Sequence, residues 1–126
     1  MKGIYGLFVG SFLLILSCAE NKSETLFLKR GSERTGVAFK NSLKESPNLN
    51  ILNYLYYYNG AGIAAADFNG DGLVDLYFTA NQSEDQLYLN KGGLHFEKTN
   101  HISGIDNATG WTTGVTSVDI NGDGLL

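Results

Sequence analysis

The sequence predicts an all-β chain of repeated four-stranded units, the start of a partial β-propeller, and three observations predict it. Residues 62–74 (GIAAADFNGDGLV) return almost unchanged as residues 114–126 (GVTSVDINGDGLL), with Asp67 and Asp119 52 positions apart. A period near 50 marks a repeat whose unit cannot bury its core alone. After residue 60, short apolar runs alternate with turn residues at the roughly 8–12-residue spacing of blade strands. Gly 16, Pro 1 and an aromatic content of 12% fit a turn-rich β chain, and 43% apolar residues supply a core.

The chain opens on Lys2 and an apolar stretch, Ile4 to Leu16, broken only by Gly6, Gly10 and Ser11. That length falls short of the roughly 20 residues of a membrane span and suits the apolar region of a secretory signal. It ends in Ile15-Leu16-Ser17-Cys18, which resembles the bacterial lipoprotein box. The resemblance implies cleavage before Cys18, the single cysteine, and its acylation. Residues 1–17 are then a signal peptide and residues 18–32 a polar tether. Leu26-Phe27-Leu28 inside the tether also reads as an early strand. By resemblance to lipoprotein sorting, Ala19 rather than Asp after the cysteine implies the outer membrane or cell surface.

Residues 33–126 form the repeat region. Thr35 to Phe39 predicts a short strand. Ser42 to Glu45 fits a helix capping box, but Pro47 leaves little room for a helix. Ile51 to Tyr58 predicts a β-strand packing its rings inward, with a stacking surface for sugars or bases as the alternative. Gly62 to Phe68, Leu73 to Ala80, Gln86 to Leu89 and Leu94 to Lys98 predict the four strands of one unit. Thr99 to Gly110 is a connection, and Gly114 to Ile120 restarts the cycle. The second copy stops at Leu126, one position before the match to Asp75. The chain therefore reads as the N-terminal piece of a longer protein, truncated in its second repeat.

The shared D-x-N-G-D-G core has the spacing of a calcium loop. Asp67, Asn69 and Asp71 occupy alternating positions 1, 3 and 5, Leu73 offers a carbonyl at 7, and Asp75 a carboxylate at 9. Calcium is a hard cation that takes about six to eight oxygens. Gly70 and Gly72 allow the backbone to turn through positive φ. An EF-hand needs Glu at position 12, where this chain has Phe78, and no helix flanks the loop. Three carboxylates and no such Glu predict weak affinity, of order 10⁻⁴–10⁻³ M.

Charge points to the same loops. The chain has Lys+Arg 9 against Asp+Glu 13. Five of those acids are Asp67, Asp71, Asp75, Asp119 and Asp123. Without Lys2 of the signal, the other eight acids face eight bases. No basic excess supports nucleic-acid binding.

With these residues in view, GIAAADFNGDGLVDLYF and GVTSVDINGDGLL look like the FG-GAP/VCBS repeats of integrin-α-type β-propellers. The resemblance implies about one and a half four-stranded blades. It implies Ca²⁺ ligands at Asp67, Asn69, Asp71 and Asp75 with the Leu73 carbonyl. In the second copy it implies Asp119, Asn121 and Asp123 with the Leu125 carbonyl. Thr35 to Asn41, Tyr54 to Gly62, Asn81, Leu87 to Asn90 and Gly110 to Gly114 further resemble the cartilage acidic protein-like VCBS lipoproteins of Bacteroidetes. Those often continue into an ASPIC/UnbV module, of which this chain has no segment.

The expected function is a calcium-binding, non-catalytic β-propeller on a cell-envelope lipoprotein, used for adhesion, scaffolding or ligand binding. Its expected partners are membrane lipid through acylated Cys18 and a protein or glycan ligand. The alternative is a carbohydrate-binding or polysaccharide-processing envelope protein whose active site lies outside this chain. Catalytic candidates are thin: His95 and His101 flank no metal pattern, and Ser83-Glu84-Asp85 reads as a solvated loop. Trp111 with Tyr54 to Tyr58 would supply a sugar-binding surface.

Overall fold

The computed structural model describes residues 26–105 and 110–126. The expected signal peptide, the lipidation site at Cys18 and the first part of the tether lie outside the described residues. Four strands form: β1 (Ile63–Ala66), β2 (Asp75–Phe78), β3 (Gln86–Asn90) and β4 (Phe96–Lys98). They make one antiparallel sheet in the order β1-β2-β3-β4. Two single turns of helix, α1 (Ser32–Thr35) and α2 (Asn100–Ser103), flank it. No helix of the described residues is long and apolar enough to cross a membrane.

Each connection follows from its residues. The β1–β2 turn is the first repeated loop, where Gly70 and Gly72 take φ of 76° and 83°. The β3–β4 turn uses Gly92 and Gly93, with Lys91 N–H donating to the His95 carbonyl at 2.7 Å. The sheet presents two apolar faces. On one, Phe78, Tyr88 and Phe96 form the buried core, with Leu76 beside them and Val37 and Phe39 packed over them. Phe39 stacks on Phe78 at 4.7 Å between ring centroids, and Tyr88 meets Phe78 edge-on at 5.6 Å. On the other, Tyr77, Leu87 and Leu89 line an open groove with Phe68, Ile105 and Val115. A sheet covered on both faces needs apolar residues at successive positions, which is how β2 and β3 read.

Three expected elements differ. Thr35 to Phe39 is not a strand: Thr35 closes α1, and Val37 and Phe39 reach the core from an unpaired segment. Ile51 to Tyr58 is not a strand either. Asn50 Oδ1 accepts the amides of Leu52 and Asn53, at 2.9 and 3.3 Å, and the Asn50 carbonyl accepts that of Tyr54. Such local bonds compete with a sheet ladder, and they fold this stretch into consecutive turns. Of its rings only Tyr57 is fully buried, while Tyr56 and Tyr58 are 62% and 60% exposed. Gly114 to Ile120 holds the position of β1 in the second copy of the repeat but forms no strand. β1 is held in the ladder by β2 alone, and residues 114–120 have no such partner among the described residues. Leu26 to Leu28, the early strand the sequence also offered, is exposed and forms no strand.

Candidate metal site

The two repeated loops fold alike. In the first, Asp67 Oδ1 accepts the amides of Gly70 and Asp71 at 2.8 and 3.2 Å, and its Oδ2 accepts that of Gly72 at 2.7 Å. Asn69 Oδ1 accepts the Asp71 amide, and Asp71 Oδ1 accepts the Leu73 amide. Asn69 Nδ2 donates to Asp71 Oδ2 at 2.9 Å. The second loop repeats every one of these bonds. Asp119 accepts from Gly122, Asp123 and Gly124. Asn121 accepts from Asp123, Asp123 accepts from Leu125, and Asn121 donates to Asp123. Side chains at alternating positions thus turn inward, and the glycines between them provide the bends.

These amides carry partial positive charge, and they favour the ionised carboxylates. The Gly72 amide first, then those of Gly70, Asp71 and Asn69, holds Asp67 below the usual aspartate range, against the opposing pull of burial. Asp119 is lowered in the same way, by Gly124 first. Asp123 is lowered by the Leu125 amide and by Asn121. Asp67, Asp119 and Asp123 therefore keep their charge to lower pH than free aspartates would.

Asp75, at position 9, has a different setting. It is fully buried. Its Oδ2 accepts the Phe68 amide at 3.0 Å and its Oδ1 accepts the Asn90 amide at 2.8 Å. One carboxylate thus joins the start of the loop to the end of β3. Asn90 returns the connection: its Nδ2 donates to the Val74 carbonyl at 2.9 Å, and its Oδ1 accepts the Gly92 amide at 2.9 Å. Asp75 and Asn90 together clasp the loop to the β3–β4 turn.

The donor set is all hard oxygen, which fits Ca²⁺ by chemistry. Its present arrangement is inward bonding to the loop's own amides. Among the described residues no three His, Cys, Asp or Glu side chains converge closely enough to hold a metal ion. Oxygens that accept one bond, such as Asp67 Oδ2 and Asn69 Oδ1, keep a further lone pair for a cation, whereas Asp67 Oδ1 and Asp119 Oδ1 already accept two amides each. Asp67, Asn69 and Asp71 share the exposed turn, while Asp75 sits behind it in the sheet.

The first loop joins the first two strands of a four-stranded antiparallel meander, and its copy follows 52 residues on. Comparison with family models finds an FG-GAP-like repeat at residues 67–126. The match opens on Asp67 and takes in both loops. FG-GAP repeats are blades of β-propellers, and the all-β, blade-type fold expected from the sequence is observed here as one four-stranded antiparallel sheet. Comparisons with curated proteins and with solved structures gave no match.

Several residues that organise the blade were not read for that role in the sequence: Asn81 entered only through the resemblance, and Asp85, read as part of a solvated loop, is buried at 3% exposure on strand-end hydrogen bonds. Asn81 is fully buried and exchanges two bonds with Asn41, at 2.9 and 3.0 Å, while its Nδ2 donates to the Thr112 carbonyl at 3.2 Å. It therefore links the segment before the blade to the segment after it. Asp85 accepts the Ala80 amide and the Tyr77 hydroxyl, and its carbonyl accepts from Asn100. Asn100 Oδ1 accepts the Leu87 amide at 3.0 Å. The available signal was Asn next to turns and strand ends, where its side chain copies a peptide group. Tyr54 and Tyr57 pack on Trp111, at 5.6 and 5.4 Å between centroids. Trp111 Nε1 is buried without a hydrogen-bond partner.

Proposed function

We propose that this FG-GAP-like repeat chain is the calcium-binding, non-catalytic β-propeller portion of a cell-envelope lipoprotein, serving adhesion, scaffolding or ligand binding. The observation that carries the reading is the pair of D-x-N-G-D-G loops in one hydrogen-bonded form, the first at a blade's β1–β2 turn. Asp67, Asn69 and Asp71 with the Leu73 carbonyl and Asp75 would hold the ion. Asp119, Asn121 and Asp123 with the Leu125 carbonyl would hold a second. The ion would neutralise carboxylates crowded into one turn and stiffen it. Cys18 supplies the acylation site in this reading, and the outer membrane or cell surface the location. The lipoprotein part also rests on the likeness to cartilage acidic protein-like VCBS lipoproteins.

The deciding experiment is calorimetric titration of chelator-treated protein with CaCl₂. Saturable binding of order 10⁻⁴–10⁻³ M is expected, with a rise in melting temperature that Asp71→Ala largely removes. The absence of both heat and melting shift at millimolar calcium would sink the metal reading. A second reading, glycan binding, is favoured by exposed Tyr56 and Tyr58, which pack edge-on to Tyr54 and Tyr57, the two rings set against Trp111. Tyr58 is held by its hydroxyl on Glu45 at 2.8 Å. Binding on a glycan array, lost in Tyr56→Ala/Tyr58→Ala, would support it.

A further inference from the structure

The end of the chain nearest the expected lipid anchor has a chemistry unlike the rest. Leu26, Phe27 and Leu28 are 95%, 88% and 69% exposed. Immediately after them, Arg30 and Arg34 line a cleft of about 200 Å³ with Thr35, Gly93 and Leu94. No carboxylate lines this cleft. Among the described residues neither arginine takes part in an ion pair; the recorded pairs are Lys91–Glu97 and Lys98–Glu84. Leu94 stands at the rim, 58% exposed, in a left-handed conformation (φ 62°) that a leucine rarely adopts. Residues 26–40 carry Lys29, Arg30, Arg34 and Lys40 against Glu33 alone, within a chain of net charge −4.

We infer that this face docks on a membrane, with Arg30 and Arg34 taking lipid phosphate and Leu26, Phe27, Leu28 and Leu94 entering the interfacial layer. Planar guanidinium groups match phosphate oxygens in pairs, which an unpaired two-arginine cleft leaves them free to do. Exposed aliphatic and aromatic side chains beside basic ones are the composition of a surface that lies in the headgroup region. Free phosphate or nucleic acid would not need the exposed apolar flank. Reach agrees: Arg30 lies twelve positions after Cys18, a stretch that spans at most about 40 Å when extended. The inference draws on the anchored-lipoprotein reading for the nearness of a membrane, but acylation takes no part in the docking contacts.

The test places the full chain in vesicles of phosphatidylcholine with phosphatidylglycerol and follows amide hydrogen exchange of residues 26–35. Exchange there is expected to slow relative to detergent-solubilised protein. A basic residue at an anionic surface is worth about fivefold, so Arg30→Gln/Arg34→Gln should lose about 25-fold of the protection. Leu26→Ser/Phe27→Ser should lose part of it. All four positions are exposed, and unchanged protection of β2 and β3 confirms that the blade stays folded. Inorganic phosphate without vesicles should not reproduce the effect. The inference is overturned by equal exchange in vesicles and detergent, by equal protection from inorganic phosphate, or by protection that survives both arginine substitutions. Flotation with the vesicles separately reports whether the chain is anchored, so failure of the anchor and failure of the docking face are told apart.

Discussion

Replacing Asp75 by Asn tests whether this carboxylate holds the blade together through its backbone bonds or matters only as a metal ligand. Asp75 is fully buried, and its two oxygens accept the amides of Phe68 and Asn90 at 3.0 and 2.8 Å. Hydrogen bonds to charged groups contribute about 1.5–3 kcal/mol each. Asn keeps one acceptor and sets its NH₂ against the other backbone donor. One bond is lost outright, one buried N–H is left without a partner at about 1–3 kcal/mol, and the surviving bond loses its charge. Removal of a buried charge offsets part of this. The net expectation is a loss of about 2–4 kcal/mol. The assay is urea unfolding in excess chelator, so that no metal contributes. With a slope of about 1–3 kcal/mol/M, the midpoint should fall by roughly 1–2 M. Asp71→Asn, in the exposed part of the same loop, should leave the chelator midpoint in place. Hydrogen exchange adds a local check: the amides of Phe68 and Asn90 should exchange faster in Asp75→Asn, and the core of β3 should not unfold separately. A chelator midpoint for Asp75→Asn equal to the parent's would refute the clasp.

Asn81→Ala removes a fully buried side chain that bonds Asn41 and Thr112; a loss of about 2–3 kcal/mol is expected, read by thermal unfolding. Gly62→Ala would set a Cβ 2.9 Å from the Val115 nitrogen and 3.0 Å from the Gly114 Cα, all backbone. The approach of residues 114–115 to β1 must then open, at about 1–3 kcal/mol, and chemical-shift changes should concentrate at residues 62–64 and 113–116. The Asp67 and Asp119 carboxyls lie below the ordinary aspartate range in the folded state. Their contribution to stability is then present above the unfolded value of about 3.9 and lost as pH falls through the lower folded values. Carboxyl-carbon NMR titration in chelator should show both midpoints below that of Asp in a peptide. Tyr77 moves the other way, raised by burial and then by Asp85. Its bond to Asp85 should persist below the unfolded value of about 10 and weaken as pH rises beyond it.

The sequence disclosed the parts of this fold that depend on local pattern. Alternation and turn residues placed β1 to β4 because each strand has its partner one short turn away. The loops were legible because glycine at fixed positions and Asp/Asn at alternating ones leave few other conformations. The failures have one cause. Ile51 to Tyr58 has strand composition, yet Asn50 caps the following amides before any ladder forms. Thr35 to Phe39 and Gly114 to Ile120 have strand pattern, yet no neighbour lies in register beside them among the described residues. Pattern states what a segment prefers; pairing depends on what lies alongside. The same holds for Asp75. Its spacing placed it among the ligands, but no spacing rule shows that it is buried on two backbone amides.

Magnitudes then decide what calcium would contribute. A ligand that binds only the folded chain stabilises it by RT ln(1 + [L]/Kd). With a constant of order 10⁻⁴–10⁻³ M and about 1 mM calcium, each site adds roughly 0.4–1.4 kcal/mol. The Asp75 clasp is larger, at about 2–4 kcal/mol, and it needs no metal. The loop amides already favour the charged forms of Asp67, Asp119 and Asp123. A blade built in this way would fold first and bind an ion second, so on the calcium reading proposed above chelation should soften the β1–β2 turn without dissolving the sheet. Chelation that unfolded β2 and β3 along with the loop would reverse that order, and would make the ion rather than the clasp the element that holds the blade.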